Sequence, residues 1–309
     1  MSYFLLVVGI TALVKGADWF VRGSSQIALF FKVSPFVIGL TVVAFGTSAP
    51  EAAVSFTAAI RAQSDLAYGN IIGSSMANLL LVLGLSVVLT PIAIKERIIK
   101  KEFPFAIFIV MLVFVFAIIG PAYINRFEGA ILLIVFIVFL GLLLKATRKE
   151  KHTNESVPMN YSLKVSITLF FLGLVSIIIG GHLVTTSASE IALSLGMSEV
   201  LVGLSIVAVG TSLPELATIV AAWIKKEDEM ALGNIIGSNI FNLSFILGAS
   251  ALISPIQLHL AMRFDLILLL AITVLAFIFS LTDRLLSKKE GIMLMVIYAL
   301  YLVFIILRN

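Results

Sequence analysis

The chain of 309 residues is 61% hydrophobic and only 12% charged, with a mean hydropathy of +1.16, which excludes an ordinary soluble domain, where about a quarter of residues are charged. Its 21 Lys and Arg against 17 Asp and Glu leave a net charge of +4, and because the basic residues fall in loops between apolar runs they point to membrane orientation rather than to nucleic acid. There is no cysteine, which removes disulfides, thiolate metal sites and cysteine nucleophiles together.

A membrane-spanning helix takes about 20 apolar residues. In chain order the sequence predicts ten such spans, at 3–30, 35–61, 65–91, 103–121, 127–145, 162–194, 199–224, 229–253, 264–281 and 290–307. The first run passes through Lys15, Asp18 and Arg22 with no small-residue cleavage pattern, so it reads as a membrane helix and not a signal peptide. Sorting the basic residues by loop places fifteen on one side, among them Lys32, Lys95, Arg97, Lys100, Lys101, Lys225, Lys226, Lys288 and Lys289. Four, Arg61, Arg126, Arg263 and Arg308, fall on the other. Positively charged loops stay in the cytoplasm, so both termini are expected outside it. The hydrophilic stretch 146–161 is too short to build a core and is expected to be a cytoplasmic linker between 1–145 and 162–309. The formal glycosylation sequon Asn154–Glu155–Ser156 in this linker is read as fortuitous, because the charge bias puts it in the cytoplasm.

The two halves repeat each other. FVIGLTVVAFGTSAPEAAVSF at 36–56 returns as VLVGLSIVAVGTSLPELATIV at 200–220, and AYGNIIGSSMANLLLVLGLSVVLTPI at 67–92 returns as ALGNIIGSNIFNLSFILGASALISPI at 231–256. The offset is 164 throughout, and nearly half of the positions from 36 to 92 are identical. Unrelated apolar runs would share Leu, Ile and Val, not GTS-x-PE and GNIIGS. Each half holds five predicted spans, and an odd number makes the second copy enter the membrane from the opposite side. Inverted repeats of this kind build secondary transporters with a substrate site at the midplane. The predicted fold class is therefore an all-α polytopic membrane protein, ten transmembrane helices in two inverted-topology five-helix repeats.

The repeated residues are polar and helix-breaking. Glu51 and Glu215 lie near the middle of the second and seventh spans, where an ionised carboxylate costs several kcal/mol unless it meets a partner or a cation. Pro50 and Pro214 remove an amide donor and conflict with the preceding turn, and Gly46 and Gly210 weaken the helix there. Broken helix in lipid is tolerated only where it faces protein or a polar cavity. Thr47 and Glu51 are four apart and share a face, as do Thr211 and Glu215. In the second motif Ser74 and Asn78, and Ser238 and Asn242, repeat that spacing. Gly69, Gly73, Gly233 and Gly237 beside them allow either close helix packing or backbone opening. Carboxylates, hydroxyls and freed carbonyls form an all-oxygen shell suited to hard cations such as Na⁺ and Ca²⁺, not to zinc or copper. His152, His182 and His259 are too scattered for a metal cluster.

These motifs resemble the calcium/cation antiporter superfamily, specifically its sodium/calcium exchanger branch of prokaryotic type, whose two repeats each carry GTS-x-PE followed by GN-x-x-GS. The resemblance covers essentially the whole chain. It implies exchange of Na⁺ for Ca²⁺ by alternating access, with both ions as substrates, the lipid bilayer as surroundings, no cofactor, no nucleic acid and no obligate protein partner, in a prokaryotic cell membrane. Position by position, it implies a ligand set of Ala44, Thr47, Ser48, Glu51, Ser74 and Asn78 from the first repeat and Ala208, Thr211, Ser212, Glu215, Ser238 and Asn242 from the second, the two alanines through their carbonyls. The first and sixth spans resemble the family's mobile pair.

Two departures bear on coupling. Asn242 stands where potassium-dependent relatives, and some prokaryotic exchangers, carry Asp, and the loss of that carboxylate argues against K⁺ co-transport. In the sixth span, GGHLV at 180–184 lacks the acid that the first span keeps as Asp18, and Asp18 is spaced to pair with Arg22. His182 is expected to be a structural residue at the membrane interface. An H⁺- or K⁺-coupled cation antiporter is the alternative reading. A channel built on the same ligands is opposed by the inverted repeats and broken helices, and a membrane enzyme by the lack of a nucleophile or an HExxH-type motif.

Overall fold

The computed structural model describes residues 1–119, 123–149, 161–197, 208–282 and 284–308. They are nearly all helical. In chain order the helices are α1 (Ser2–Phe30), α2 (Pro35–Thr47), α3 (Ala49–Ile60), α4 (Ser64–Leu89), α5 (Ile98–Ile118), α6 (Arg126–Ala146), α7 (Leu163–Ser194), α8 (Ala208–Thr211), α9 (Leu213–Ile224), α10 (Asp228–Ile253), α11 (Met262–Leu281) and α12 (Lys288–Arg308). Eight are long and apolar enough to cross a membrane alone, and α2 with α3 makes a ninth, bent span. The predicted seventh span, 199–224, falls partly outside the described residues, which resume at Ala208. The sequon at 154–156 lies outside them as well.

The fourth span starts earlier than the sequence suggested, at Ile98 rather than 103, through a wide π-turn over Ile98–Glu102. Glu102 is buried there and pairs with Arg97 Nε at 3.2 Å, so two charges that read as loop in the sequence belong to the helix end.

Several helices stop in the same way. Lys32, Ala62 and Lys226 take left-handed φ values of 54°, 54° and 60°, and Gly196 takes 89°. The next amide in each case reaches five residues back, Val33 to Ala28, Gln63 to Ala58, Met197 to Ala192 and Glu227 to Ala222. This closing motif satisfies the last carbonyls of a helix, and three of its four sites use a residue other than glycine.

The chain forms two compact units, each drawing on both halves of the sequence. The first comprises Met1–Thr47, Ala146–Ile235 and Val296–Asn309. Its backbone is the pair α1 and α7, which run against each other along most of their length. Glycines make the approach possible: a Cβ on Gly173 would lie 2.4 Å from the Phe20 amide nitrogen, and one on Gly23 2.5 Å from that of Phe170. Gly9, Gly16 and Gly23 recur every seven residues on α1, and Gly173 and Gly180 keep the same interval on α7, so one face of each helix is bare backbone. Phe20 and Phe170 close the seam with ring centroids 4.9 Å apart.

The second unit comprises Ser48–Lys145 and Ile236–Met295. Within it α3 lies against α4 and α5 against α11. Phe56, Phe136, Phe241 and Phe245 form an aromatic cluster. Two short antiparallel ribbons tie its loops, β1 (Ile92–Ala93) with β4 (Leu285–Leu286) and β2 (Tyr123–Ile124) with β3 (Ile256–Gln257). Beside the first ribbon, Lys100 and then Arg284 hold the exposed carboxyl of Glu96 below the usual carboxylate range.

Candidate cation site

The breaks fall where the prolines predict them. The helix of Ala44–Thr47 ends, Ser48 leaves helical geometry at φ −85° and ψ 7°, and a new helix begins at Ala49 with Pro50 in its first turn. The second copy repeats this: Ala208–Thr211, then Ser212 at φ −85° and ψ 1°, then Leu213 with Pro214 in the first turn. The Ser212 amide donates to the Val209 carbonyl, three residues back, and so turns away from the carbonyl of Ala208. Gly210 is filled tightly from outside, since a Cβ there would lie 2.2 Å from Thr185 Oγ1. At Gly233, likewise, a Cβ would lie 2.3 Å from the carbonyl oxygen of Phe36. Close packing is therefore the role of these two glycines.

In the second unit, Glu51 occupies the first turn of α3 and is fully buried. The Ser74 hydroxyl donates to its Oε1 at 3.3 Å, and Asn242 Nδ2 donates to that same hydroxyl at 3.3 Å. Asn78 turns its Nδ2 to Asn239 Oδ1, 3.4 Å away. These contacts occupy the donors and leave oxygens over: Glu51 Oε2, Asn78 Oδ1 and Asn242 Oδ1 are all buried without a hydrogen-bond partner. A buried acceptor left unsatisfied costs about 1–3 kcal/mol, and more if charged. Two of the three, on Glu51 and Asn242, belong to residues joined through Ser74, and the third is on Asn78, one helical turn beyond Ser74; a cation would satisfy such oxygens. Wide π-turns at Asn78–Val82 and Phe241–Ile246 begin beside the two asparagines, a helical irregularity frequent at functional sites. Ser48 and Ser238 are buried in the same unit.

In the first unit, the Thr47 hydroxyl lies 3.2 Å from Asn234 Oδ1 and 3.4 Å from the Ala44 carbonyl, and both Ala44 and Asn234 are buried. Ser212 and Glu215 are buried at the break and first turn of α9, while Thr211 is part-exposed. Ala208 begins the short helix before them.

Three asparagines escaped the sequence reading. Asn70 Nδ2 donates to the Glu51 carbonyl at 3.0 Å and to Ser55 Oγ at 2.8 Å, which fixes the start of α3 on α4. Asn234, its counterpart at offset 164, holds Thr47, and Asn239 receives Asn78. The signal for the first two was present: Asn70, Ser74 and Asn78 are spaced by four, as are Asn234, Ser238 and Asn242, so each triplet lines one helix face. Asn239 has no such signal, because its counterpart is Ser75.

Among the described residues there is no group of three or more His, Asp or Glu placed to hold a metal. His182 is exposed on α7, and His259 lies 3.5 Å from Asp65 at an exposed loop. Asp18 pairs with Arg22 at 3.0 Å, as its spacing predicts, and also with Lys225 at 2.5 Å.

The model of the family described as sodium/calcium exchanger protein matches residues 1–145 and 165–307. The sodium/calcium exchanger MaX1 of Methanosarcina acetivorans is 31% identical over 98% of both chains. The inner membrane protein YrbG of Escherichia coli is 36% identical over 81% of this chain and 79% of its own. Among solved structures, the sodium-calcium exchanger NCX_Mj, soaked with Na⁺ and Sr²⁺, superposes with a TM-score of 0.87 at 33% identity, covering 98% of this chain and 97% of its own. The chain belongs to the sodium/calcium exchanger protein family, a family of membrane transporters and not of enzymes.

Proposed function

We propose that the protein is a secondary active antiporter that exchanges Na⁺ for Ca²⁺ by alternating access. The observation that carries this reading is the set of buried, partnerless oxygens Glu51 Oε2, Asn78 Oδ1 and Asn242 Oδ1 on residues of the repeated signatures. An oxygen-only shell that includes carboxylate suits Ca²⁺ and Na⁺ in turn, and mutually exclusive occupancy is the physical basis of exchange. The proposed ligands are Ala44, Thr47, Ser48, Glu51, Ser74 and Asn78 with Ala208, Thr211, Ser212, Glu215, Ser238 and Asn242. The relatives named for sodium/calcium exchange support the choice of ions.

The architecture proposed with it is ten spans in two inverted five-helix repeats, 1–145 and 162–309, joined by the 146–161 linker, with both termini outside the cytoplasm. Equivalent geometry at offset 164 supports the repeat: the left-handed helix ends at Lys32 and Gly196 and at Ala62 and Lys226, and the ribbon strands beginning at Ile92 and Ile256. The glycine seam obeys the same offset, Gly9 with Gly173 and Gly16 with Gly180.

Proteoliposomes loaded with Na⁺ and diluted into Na⁺-free medium test the coupling. Ca²⁺ uptake that needs internal Na⁺, and is indifferent to K⁺ and to collapse of a pH gradient, supports the reading. Uptake driven by a pH gradient without Na⁺, or dependent on K⁺, replaces it with the corresponding antiporter.

A further inference from the structure

Two cavities in the first unit meet at Lys225. One is an apolar groove of about 290 Å³ between α1 and α9, walled by Ile10, Val14, Ala17, Leu216, Ala217 and Val220 and ending at Asp18 and Lys225. Its rim is open, with Val14 60% and Ile224 79% exposed. The other, of about 240 Å³, is polar and lined by Arg22, Ser25, Gln26, Tyr161, Lys225 and Glu227. An apolar groove beside a polar cavity, with Lys225 in the wall of both, has the outline of an amphiphile.

The charges narrow the choice of head group. Arg22 and Lys225 both contact Asp18, and the Ser25 hydroxyl is bonded to the Glu227 carboxylate, so two cations and two anions face this region. A purely anionic ligand meets two carboxylates, and a purely cationic one meets two bases. A zwitterion matches both. Lys225 has three donors and Arg22 five, more than Asp18 can accept, so both can bind a phosphate while keeping their ion pairs. The apolar part of such a ligand gains little in water-free surroundings, because lipid tails are as apolar as leucine. Selectivity must therefore come from the head.

We propose that these cavities together bind one zwitterionic phospholipid with a primary-ammonium head, its acyl chain along the groove, its phosphate at Arg22 and Lys225 and its ammonium at Glu227. The lipid would bridge α1 to the end of α9. None of these residues belongs to the proposed cation ligands, so the inference stands apart from the transport reading.

Phosphatidylethanolamine and phosphatidylglycerol probes, each with a photoreactive group in the acyl chain, test it in proteoliposomes of equal lipid composition. The ethanolamine probe is expected to label peptides spanning 10–18 and 213–225 about tenfold more than the glycerol probe, the ratio that one charge-assisted hydrogen bond provides. Glu227→Gln should reduce that preference, with an unchanged melting temperature serving as the check that the protein is folded. Val14→Trp, at an exposed position, or Ala217→Trp on the opposite wall, should remove labelling of both peptides and leave labelling of α12 unchanged. Equal labelling by the two probes, or undiminished labelling in a tryptophan variant that keeps the wild-type melting temperature, overturns the proposal.

Discussion

The Ser74 hydroxyl donates to Glu51 Oε1 at 3.3 Å, while the other oxygen of the same buried carboxylate has no partner. One oxygen is positioned by the protein, and in the proposed exchange the other is the one that meets a cation. Glu51→Gln keeps the shape and removes the charge. It should abolish Ca²⁺ uptake without lowering the melting temperature in Ca²⁺-free buffer, since a buried charge is lost with it. Binding that stabilises the wild type by about 2.7 kcal/mol at a ligand concentration of 100 Kd should vanish. Scanning fluorimetry with and without Ca²⁺ reads both effects.

Thr47→Val tests the first unit's contribution. Valine has the shape of threonine but cannot donate to Asn234 or to the Ala44 carbonyl. A stability loss of about 1 kcal/mol is expected for the missing hydrogen bond, together with weaker Ca²⁺ activation of uptake. Thr47→Ser, which keeps the hydroxyl, should restore that activation.

Asn242→Asp would put a carboxylate beside Ser74 in place of the amide that donates to its hydroxyl. More ligand charge tightens divalent binding, so half-maximal Ca²⁺ for uptake should fall by about tenfold, the equivalent of one charge-assisted contact. Concentration dependence of initial uptake rates measures it.

The glycine seam makes a mechanical prediction. Gly173→Ala places a methyl 2.4 Å from the Phe20 amide nitrogen and 2.7 Å from the Gly16 carbonyl, both backbone atoms that cannot step aside. Overpacking of this kind costs about 1–3 kcal/mol. Gly141→Ala, on an exposed stretch of α6 with no atom within 4 Å of the added carbon, should instead gain up to about 1 kcal/mol of helix propensity. Melting temperatures of the two variants should move in opposite directions.

What could be read from the sequence follows from how locally each feature is encoded. Apolar runs, Pro50 and Pro214 determine helices and breaks by local chemistry, so the eight long apolar helices, the bent pair Pro35–Thr47 and Ala49–Ile60, and the interruptions at Ser48 and Ser212 were legible to within a few residues. The i,i+4 face bearing Ser74 and Asn78 was legible for the same reason. Asn70 and Asn234 stood in the repeated GNIIGS, yet their partners Glu51, Ser55 and Thr47 lie on other helices, and only packing brings those together. The second partner of Asp18, Lys225, is 207 residues away and no helical spacing points to it. The fourth span's early start at Ile98 was hidden because Arg97 and Glu102 look like loop charges until they pair.

In the proposed exchange, Na⁺ and Ca²⁺ take turns on one oxygen shell. Simultaneous measurement of Na⁺ efflux and Ca²⁺ uptake in the same proteoliposomes tests it most directly. Each flux should require the other ion on the opposite side, and Glu51→Gln and Glu215→Gln should each abolish both together. Ca²⁺ uptake that continues with no Na⁺ inside, or a glutamate variant that loses one flux and keeps the other, would contradict it.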